Sequence, residues 1–368
     1  MQPQVEIQLI AAVVAVACAL PGVFLVLRRM AMMSDAISHA ILFGIVVAFL
    51  VVESLGSPFL VFGAALTGVL TVSMVEGLFK TRLVKEDAAI GLVFPVLFSI
   101  GVILISRFAG NVHLDIDAVL LGELAFAPFD RLMFNNHDLG PKALWVMGGI
   151  LLLNIILIVL FFKELKLASF DEGLASALGF SPALIHYGLM SQVSLTAVGA
   201  FDAVGSILVV ALMIGPPTSA YLLTDRLSRM LSISAAIGVI SAVSGYWLAH
   251  WWDVNIAGSI ATMIGLIFFL IYLFAPRRGV VALLRRRNYQ RWHFAESMLA
   301  VHLLTHLGQP EEARECHRDE VHKHLNWQEN HAKRVVRRAL QDGYVHLDKD
   351  ILRLTAIGKK LAGKAVVE

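Results

Sequence analysis

Long apolar runs separated by short polar stretches fill the first three quarters of the chain. Most of these runs approach the roughly 20 residues that an α-helix needs to cross the hydrocarbon layer of a bilayer. The stretch 185–223 fits either two short spans or one long broken helix, and Gly215-Pro216-Pro217 marks a break in it. The pattern therefore predicts eight or nine membrane-spanning helices, at residues 8–27, 30–52, 58–79, 88–106, 143–162, 185–201, 204–223, 231–249 and 256–274.

The periodicity changes after about Ala295 to that of a soluble helical domain. Two segments, 295–308 and 327–345, place apolar residues at helical spacing. The stretch 343–362 then alternates like a short β-hairpin before a final helix. Helices followed by a two-stranded wing are typical of a winged-helix domain. The expected fold is thus an all-α polytopic membrane protein with a small soluble α+β winged-helix-like C-terminal domain.

Composition and charge support this division. Hydrophobic residues make up 58% of the chain and charged residues 16%, which is below the roughly 25% of a soluble domain. Residues 1–275 carry a net charge of −5, whereas residues 276–368 carry a net charge of +7. The shift in composition predicts a transmembrane domain at 1–278, a basic linker at 279–290 and a C-terminal domain at 291–368.

Lysine and arginine clusters orient the predicted spans, because cytoplasmic loops are enriched in these residues. Such clusters follow the first, third, fifth, seventh and ninth spans. They fall on one side of the membrane when nine crossings are counted, whereas eight crossings would place the arginine-rich tail outside. We therefore expect a multi-pass protein with its N-terminus outside and its C-terminal domain in the cytoplasm.

The second predicted span carries two ionisable residues, Asp35 and His39. Their spacing of four residues places both on one face of a helix, with Ser38 beside them. If the helix begins near Met30, His39 lies about 13 Å along it, close to the middle of a roughly 30 Å hydrocarbon layer. Capping of the helix explains Asp35 but not a histidine at that depth. A carboxylate and an imidazole that point the same way favour a site for a divalent transition metal.

Other acids occupy apolar surroundings. Glu123 and Asp202 fit either the outer interface, where a carboxylate is well solvated, or a role in attracting or coordinating an incoming cation. The residues alone favour the interface, and both are kept as further candidate metal ligands. Glu76, near the inner end of the third span, is spaced to pair with Lys80 at i+4.

Sequence motifs for nucleotide hydrolysis and for zinc sites do not occur. The sequence has no G-x-x-x-x-G-K-[ST] loop, no HExxH and no paired-cysteine motif. The chain therefore has no evident catalytic centre, and an ATP-driven process would need a separate ATPase subunit. Eight of the 13 histidines follow residue 290, with His302 and His306 at i, i+4. Because no quartet of fixed spacing stands out, a polar surface is favoured there over a metal sensor.

The predicted inner loop at about 163–184 contains one short helix. Residues 171–178 have a helical pattern, Gly179 ends it and Pro182 follows just beyond. A short amphipathic helix in such a loop suits either the docking of a partner or a position at the membrane interface, and composition alone favours the interface.

Several motifs in order resemble the permease subunits of ABC importers for zinc, manganese and iron. RRMAMMSDAISHAILFG at 28–44 is similar to a signature of that family, with Ser34 and Phe43 in place of the usual glycine and proline. KEDAAIGLVFPVLFSIGVILIS, LDIDAVLLGELAF, LASALGF and FDAVGSILVVALMIGPPTSAYLLTDRL also fit, and the resemblance covers about residues 5–278. The later LTAIGKKLA resembles the winged-helix domain of diphtheria-toxin-repressor-type metalloregulators.

The resemblance implies a transport subunit, not an enzyme, in the bacterial plasma (inner) membrane. Two permease subunits, as a homodimer or a related pair, would enclose a path for manganese, zinc or iron. Two cytoplasmic ABC ATPase subunits would drive it, and an extracytoplasmic metal-binding protein would deliver the ion. No cofactor is expected to be bound permanently, and nucleic acid is not an expected partner. The tail extension tilts the expected metal toward manganese.

The resemblance also assigns roles to residues. Asp35 and His39 carry over as ligands on the metal path. The inner loop is similar to the coupling helix that fits into the ATPase, which favours docking over the interface for five residues: Asp171, Glu172, Ala175, Leu178 and Gly179.

Two alternatives to this importer come from other classes of protein. In a membrane-tethered regulator, the spans would be an anchor and the tail would respond to metal or DNA. Nine spans with intramembrane Asp35 and His39 argue against it, because an anchor needs one or two. A proton- or sodium-coupled transporter would show inverted repeats, and the sequence shows no convincing internal repeat.

Overall fold

The computed structural model describes residues 2–53, 57–108, 124–134 and 137–367. The chain divides into two compact units, Met1–Gly279 and Val280–Glu368. We call the first the membrane unit and the second the tail unit, and each is described by itself.

The membrane unit consists mainly of long helices, and one small antiparallel hairpin lies between the fourth and fifth of them. Eight of its helices, all except the short α6 and α7 defined below, are long and apolar enough to cross a membrane, which confirms a polytopic helical membrane protein. The elements in order are α1 (Pro3–Leu27), α2 (Met32–Val52), α3 (Pro58–Lys80), α4 (Glu86–Phe108), β1 (Arg131–Phe134), β2 (His137–Pro141), α5 (Lys142–Leu160), α6 (Phe162–Phe170), α7 (Glu172–Ala177), α8 (Pro182–Leu223), α9 (Leu227–Trp252) and α10 (Ile256–Phe274).

Helices α1 and α8 form the centre of the membrane unit. In its most apolar window, 67% of α1 is buried, against 22% for the peripheral α5 and α10. The two central helices approach closely at Gly22, where an added Cβ would collide with the main-chain carbonyl oxygen of Met213. A glycine is therefore required there, because small residues let membrane helices pack with their backbones in contact.

The break in α8 lies at Gly205 and not at the predicted Gly215-Pro216-Pro217, which remains helical. Gly205 has φ +76° and ψ 166°, a conformation that is essentially confined to glycine. The two prolines are tolerated because neighbouring groups cover the backbone they disturb: the carbonyl of Met213, four residues before Pro217, packs against Gly22.

The chain reverses its direction at this break. His186, before Gly205, contacts Arg28 at the end of α1, and Met213, after Gly205, contacts Gly22 only six residues away. A straight helix would separate His186 from Met213 by about 40 Å, whereas their partners on α1 are about 9 Å apart along that helix. Both ends of α8 therefore lie at the Arg28 end of the unit, and α8 supplies the two passes predicted at 185–223.

The tail unit is a helical domain with a two-stranded hairpin. Residues predicted as a basic linker form the first turns of its longest helix. The predicted hairpin is present, with Val345 opposite Leu354 and Asp348 opposite Ile351. The elements are α11 (Val280–Thr305), α12 (Glu312–Glu315), α13 (Val321–His324), α14 (Glu329–Gln341), β3 (Val345–Asp348), β4 (Ile351–Leu354) and α15 (Ala356–Val367). Their shared core includes Leu299, Leu303, Cys316, Val335 and Leu352.

Candidate metal path and coupling surface

The predicted pair on α2 is formed in the structure. Helix α2 begins at Met32, so that Asp35 lies in its first turn and His39 about 10 Å along it. Nε2 of His39 lies 3.4 Å from Oδ1 of Asp35. Their side chains are 29% and 32% exposed, respectively, so both groups remain accessible to an ion.

The neighbouring serines do not extend this pair. Ser38 donates its hydroxyl to the carbonyl of Ser34 at 2.8 Å, and Ser34 donates to the carbonyl of Ala31 at 2.8 Å. Both hydroxyls are thus turned back onto their own helix, as is common for serine within helices. The chemistry on this face is therefore carried by the carboxylate of Asp35 and the imidazole of His39.

Helix α4 supplies an aromatic wall beside His39. The imidazole stacks on the ring of Phe94, with centroids 5.7 Å apart, and meets the ring of Phe98 edge-on at 6.1 Å. These contacts restrain the orientation of the imidazole ring and place apolar surface beside it. A ligand pair held by packing needs little rearrangement when an ion arrives.

The pair has two ligands within one chain. Across the described residues, the single place where three or more histidine, cysteine or acidic side chains gather at ligand spacing is in the tail unit. Asp202 is exposed and does not join Asp35 and His39 as a third ligand there. Glu123 lies outside the described residues. A carboxylate–imidazole pair can hold a divalent transition metal briefly, and further ligands must come from water or another molecule.

The predicted coupling segment forms a short helix at one end of the membrane unit. Asp171 caps α7 by accepting a hydrogen bond from the main-chain N–H of Leu174 at 2.9 Å. Gly179, with φ +86°, ends the segment. Ala175 is buried, whereas Leu178 is 61% exposed. The helix is thus held to the membrane unit on one side and presents apolar side chains on the other.

A polar network beside this segment connects α6, the helix that precedes it, to three membrane helices. Arg28, which follows α1, donates to Nδ1 of His186 at 2.9 Å and to the carbonyl of Ala168 at 3.2 Å. Nε2 of His186 lies 2.6 Å from Oε1 of Glu76. Because arginine is always a donor, Nδ1 accepts, and the ring proton sits on Nε2 facing the carboxylate.

Glu76 completes the network with two further partners. The predicted ion pair with Lys80 is present at 3.0 Å, and the hydroxyl of Tyr187 donates to Glu76 at 2.8 Å. The sequence interpretation missed His186 and Tyr187. One sequence feature could have indicated them: a histidine occurs at the start of an apolar run, shortly after the coupling segment.

Comparisons with known proteins agree with this architecture. The sequence profile of the ABC 3 transport family matches residues 4–275, which is almost the whole membrane unit. The chain is 50% identical to the zinc transport system membrane protein TroD of Treponema pallidum over 97% of each chain. It is 51% identical to the manganese transport system membrane protein MntD of Bacillus subtilis, over 76% of this chain and 94% of that one.

A solved structure shares the fold. PsaBC from Streptococcus pneumoniae in complex with Fab matches with a TM-score of 0.65 and 29% sequence identity, over 77% of this chain and 95% of that chain. The matched share of this chain is close to the share taken up by the membrane unit.

Proposed function

Because this chain belongs to the ABC 3 transport family, we propose that it is the membrane-spanning subunit of an ATP-driven importer of divalent transition metal ions. The observation that carries the proposal is the Asp35–His39 pair, an accessible oxygen and nitrogen ligand on a membrane helix. The chain is a transport subunit and not an enzyme, and ATP hydrolysis belongs to a separate subunit. A regulator is not favoured, because TroD, a transport system membrane protein, matches 97% of the chain.

The cargo is a metal of the manganese, zinc and iron class. Relatives named for zinc and for manganese are equally similar to this chain, at 50% and 51% identity. A carboxylate beside an imidazole serves both metals, since manganese prefers oxygen ligands and zinc accepts both. The tail extension, which the sequence resemblance links to manganese-type permeases, makes manganese the first candidate. Zinc is its main competitor, because TroD, which matches the chain over 97% of its length and so includes the tail, is named for zinc; iron is a further competitor.

The mechanism follows from the small number of ligands. An ion on a transport path must be bound strongly enough to enter and weakly enough to leave. Asp35 and His39 would hold the ion while a second permease subunit, identical or paralogous, closes the other side of the path. An extracytoplasmic metal-binding protein would deliver the ion, and alternating access would release it on the opposite side. Asp202 and Glu123 would attract the ion on its way in.

An uptake assay tests the role of the pair. In cells that supply the ATPase and binding protein, we expect Asp35→Asn and His39→Ala each to lower uptake of manganese and zinc by at least about tenfold, as losses of metal ligation do. Glu53→Gln at the other end of α2 is the matched control and should transport normally. Normal uptake of both metals by both variants, at equal membrane levels, would refute the assignment.

Coupling to the ATPase is assigned to the loop at about 163–184. Asp171 and Glu172 start its short helix, Ala175 and Gly179 fix its position and its end, and Leu178 offers an apolar contact. Through Arg28 the same loop is fastened to the connection between α1 and α2. Movement of a docked ATPase would thus reach the helix that carries Asp35.

Replacement of the exposed leucine tests this surface. Leu178→Asp would place a charge in an apolar contact, so we expect co-purification of the ATPase subunit to fall strongly. Leu83→Asp is the matched control, because Leu83 lies in the loop that follows α3 and is 89% exposed. Equal ATPase recovery with Leu178→Asp and the unmodified chain would contradict the assignment.

The tail unit is proposed to be a cytoplasmic winged-helix-like domain, at about 291–368, of a multi-pass protein of the bacterial plasma (inner) membrane. Support comes from the succession of helices, antiparallel hairpin and final helix. In its basic helix α14, Arg338 is engaged inside the unit: it lies 3.2 Å from Glu296 and covers the ring of Trp292. Nucleic acid is therefore not proposed as a partner.

A further inference from the structure

We propose that the tail unit holds a second metal site, formed by His302, His306 and Glu315 and suited to a zinc-like divalent ion. This inference concerns binding by the tail itself and stands apart from the transport role of Asp35 and His39. The sequence interpretation favoured a polar surface for these histidines, and the geometry of the folded unit revises it.

The backbone brings the three residues together across a turn. His302 and His306 are neighbours on the last turn of α11 and just beyond it, with ring centroids 4.8 Å apart. Gly308, with φ +76°, lies in the turn that leads to α12, whose last residue is Glu315. One ligand atom from each of the three residues lies within 4.8 Å of the other two.

His302 is held in the state that a metal needs. Its Nε2 lies 3.1 Å from the main-chain carbonyl oxygen of Glu315. Since a carbonyl only accepts, Nε2 carries the proton and the lone pair is on Nδ1. A carbonyl behind the distal nitrogen is a common support for a metal-bound histidine.

His306 provides an independent indication. Its Nδ1 is buried, and within the described part of the chain it has no hydrogen-bond partner. A buried polar atom without a partner is unfavourable, so such atoms call for an explanation. An ion between the two imidazoles and the carboxylate would supply the missing partner.

Glu315 is oriented by another histidine. Nδ1 of His324 lies 2.7 Å from Oε2 of Glu315, so Oε1 is the carboxylate oxygen that would bind the ion. The adjacent Cys316 is not counted as a ligand, because its side chain packs in the core of the tail unit. The donor set is therefore two imidazoles and one carboxylate.

This donor set selects the class of ion. Two nitrogens and one oxygen, with a position left for water, form a common zinc set, whereas calcium and magnesium require mainly oxygen ligands. Ligands at about 2.0–2.1 Å from a tetrahedral zinc are roughly 3.4 Å apart. Small side-chain rotations would close the present 4.8 Å spacing.

Metal binding by the purified full-length chain in detergent tests the site. All samples would carry Asp35→Asn and His39→Ala, so that the pair on α2 does not contribute. After removal of metal with a chelator, cobalt(II) should give the visible absorption of a tetrahedral nitrogen–oxygen site, and zinc should displace it. We expect His306→Ala to weaken cobalt and zinc binding at least about tenfold.

Two further variants make the result decisive. Glu315→Gln preserves the shape of the side chain but removes the charge, and it should weaken binding like His306→Ala with an unchanged circular dichroism spectrum. His346→Ala, in strand β3, is the matched control and should bind like the parent. Undiminished binding in both His306→Ala and Glu315→Gln, or no binding in the parent, would overturn the proposal.

Discussion

Two regions of this chain place two metal-ligating side chains four residues apart on a helix, but their surroundings differ. On α2, Asp35 and His39 are spaced i, i+4 and stand as a pair, about one third exposed. In the tail unit, His302 and His306 have the same spacing, but Glu315 joins them and part of His306 is buried without a partner. Two ligands suit an ion in passage, whereas three partly buried ligands suit an ion that stays.

His186 shows a third outcome for the same side chain. Its Nδ1 accepts from Arg28 and its Nε2 faces Glu76. Both ring nitrogens therefore lie against protein groups, and this histidine connects helices instead of offering a nitrogen to a metal ion. The role of each histidine depends on the groups that its two ring nitrogens contact, and not on its position on a helix.

The largest expected effect on metal uptake comes from adding a third ligand to the pair on α2, so that the site holds the ion instead of releasing it. Phe94→His would place a second imidazole beside His39, whose ring now stacks on Phe94 at 5.7 Å. A third ligand that adds about 1.4 kcal/mol would slow release about tenfold, so uptake of manganese and zinc should approach background although metal binding increases.

The control for this change is Phe108→His, the same substitution at the exposed far end of α4. It should leave uptake unaffected. Phe94→His could instead transport at the normal rate while binding metal more tightly. The number of ligands would then not limit release from the pair, which would contradict the proposed difference between the two-ligand pair on α2 and the three-ligand site of the tail unit.

A smaller effect should follow from loosening the tail site without removing a ligand. His324→Ala deletes the imidazole that orients Glu315 at 2.7 Å. Loss of such a supporting contact costs about tenfold in metal affinity, which cobalt titration of the full-length chain would measure. His322, whose ring contacts the main-chain carbonyl of Asp319 on its own segment, offers the comparison variant His322→Ala. Equal affinities in the two variants would show that His324 does not support the site.

Much of the fold follows from local pattern. The long apolar helices, the capped segment at Asp171–Gly179 and the hairpin of the tail all match what their residues predict, because each depends on neighbours in sequence. The spacing of Asp35 and His39 likewise fixed their common face. Their roles in transport and coupling stay predictions until the variants are measured.

What sequence could not supply was contact between distant segments. The residues near His186 in the sequence do not predict its contacts with Arg28 and Glu76, which lie 158 and 110 positions away in the chain. Glu315 meets His302 and His306 because a turn at Gly308 folds the chain back, and spacing alone does not encode that turn. The break in α8 was placed at the prolines, whereas tertiary packing keeps those residues helical and moves the break to Gly205.

The reversal at Gly205 also has a consequence for how the protein enters the membrane. A single non-helical residue joins the two halves of α8, and Ala203, Val204, Gly205 and Ser206 are all buried. No solvated loop is therefore available to rest on the far side of the bilayer while the second half is being synthesised. We infer that the two halves insert together as a preformed hairpin, so that the whole stretch from Pro182 to Leu223 must leave the ribosome before either half is stably embedded.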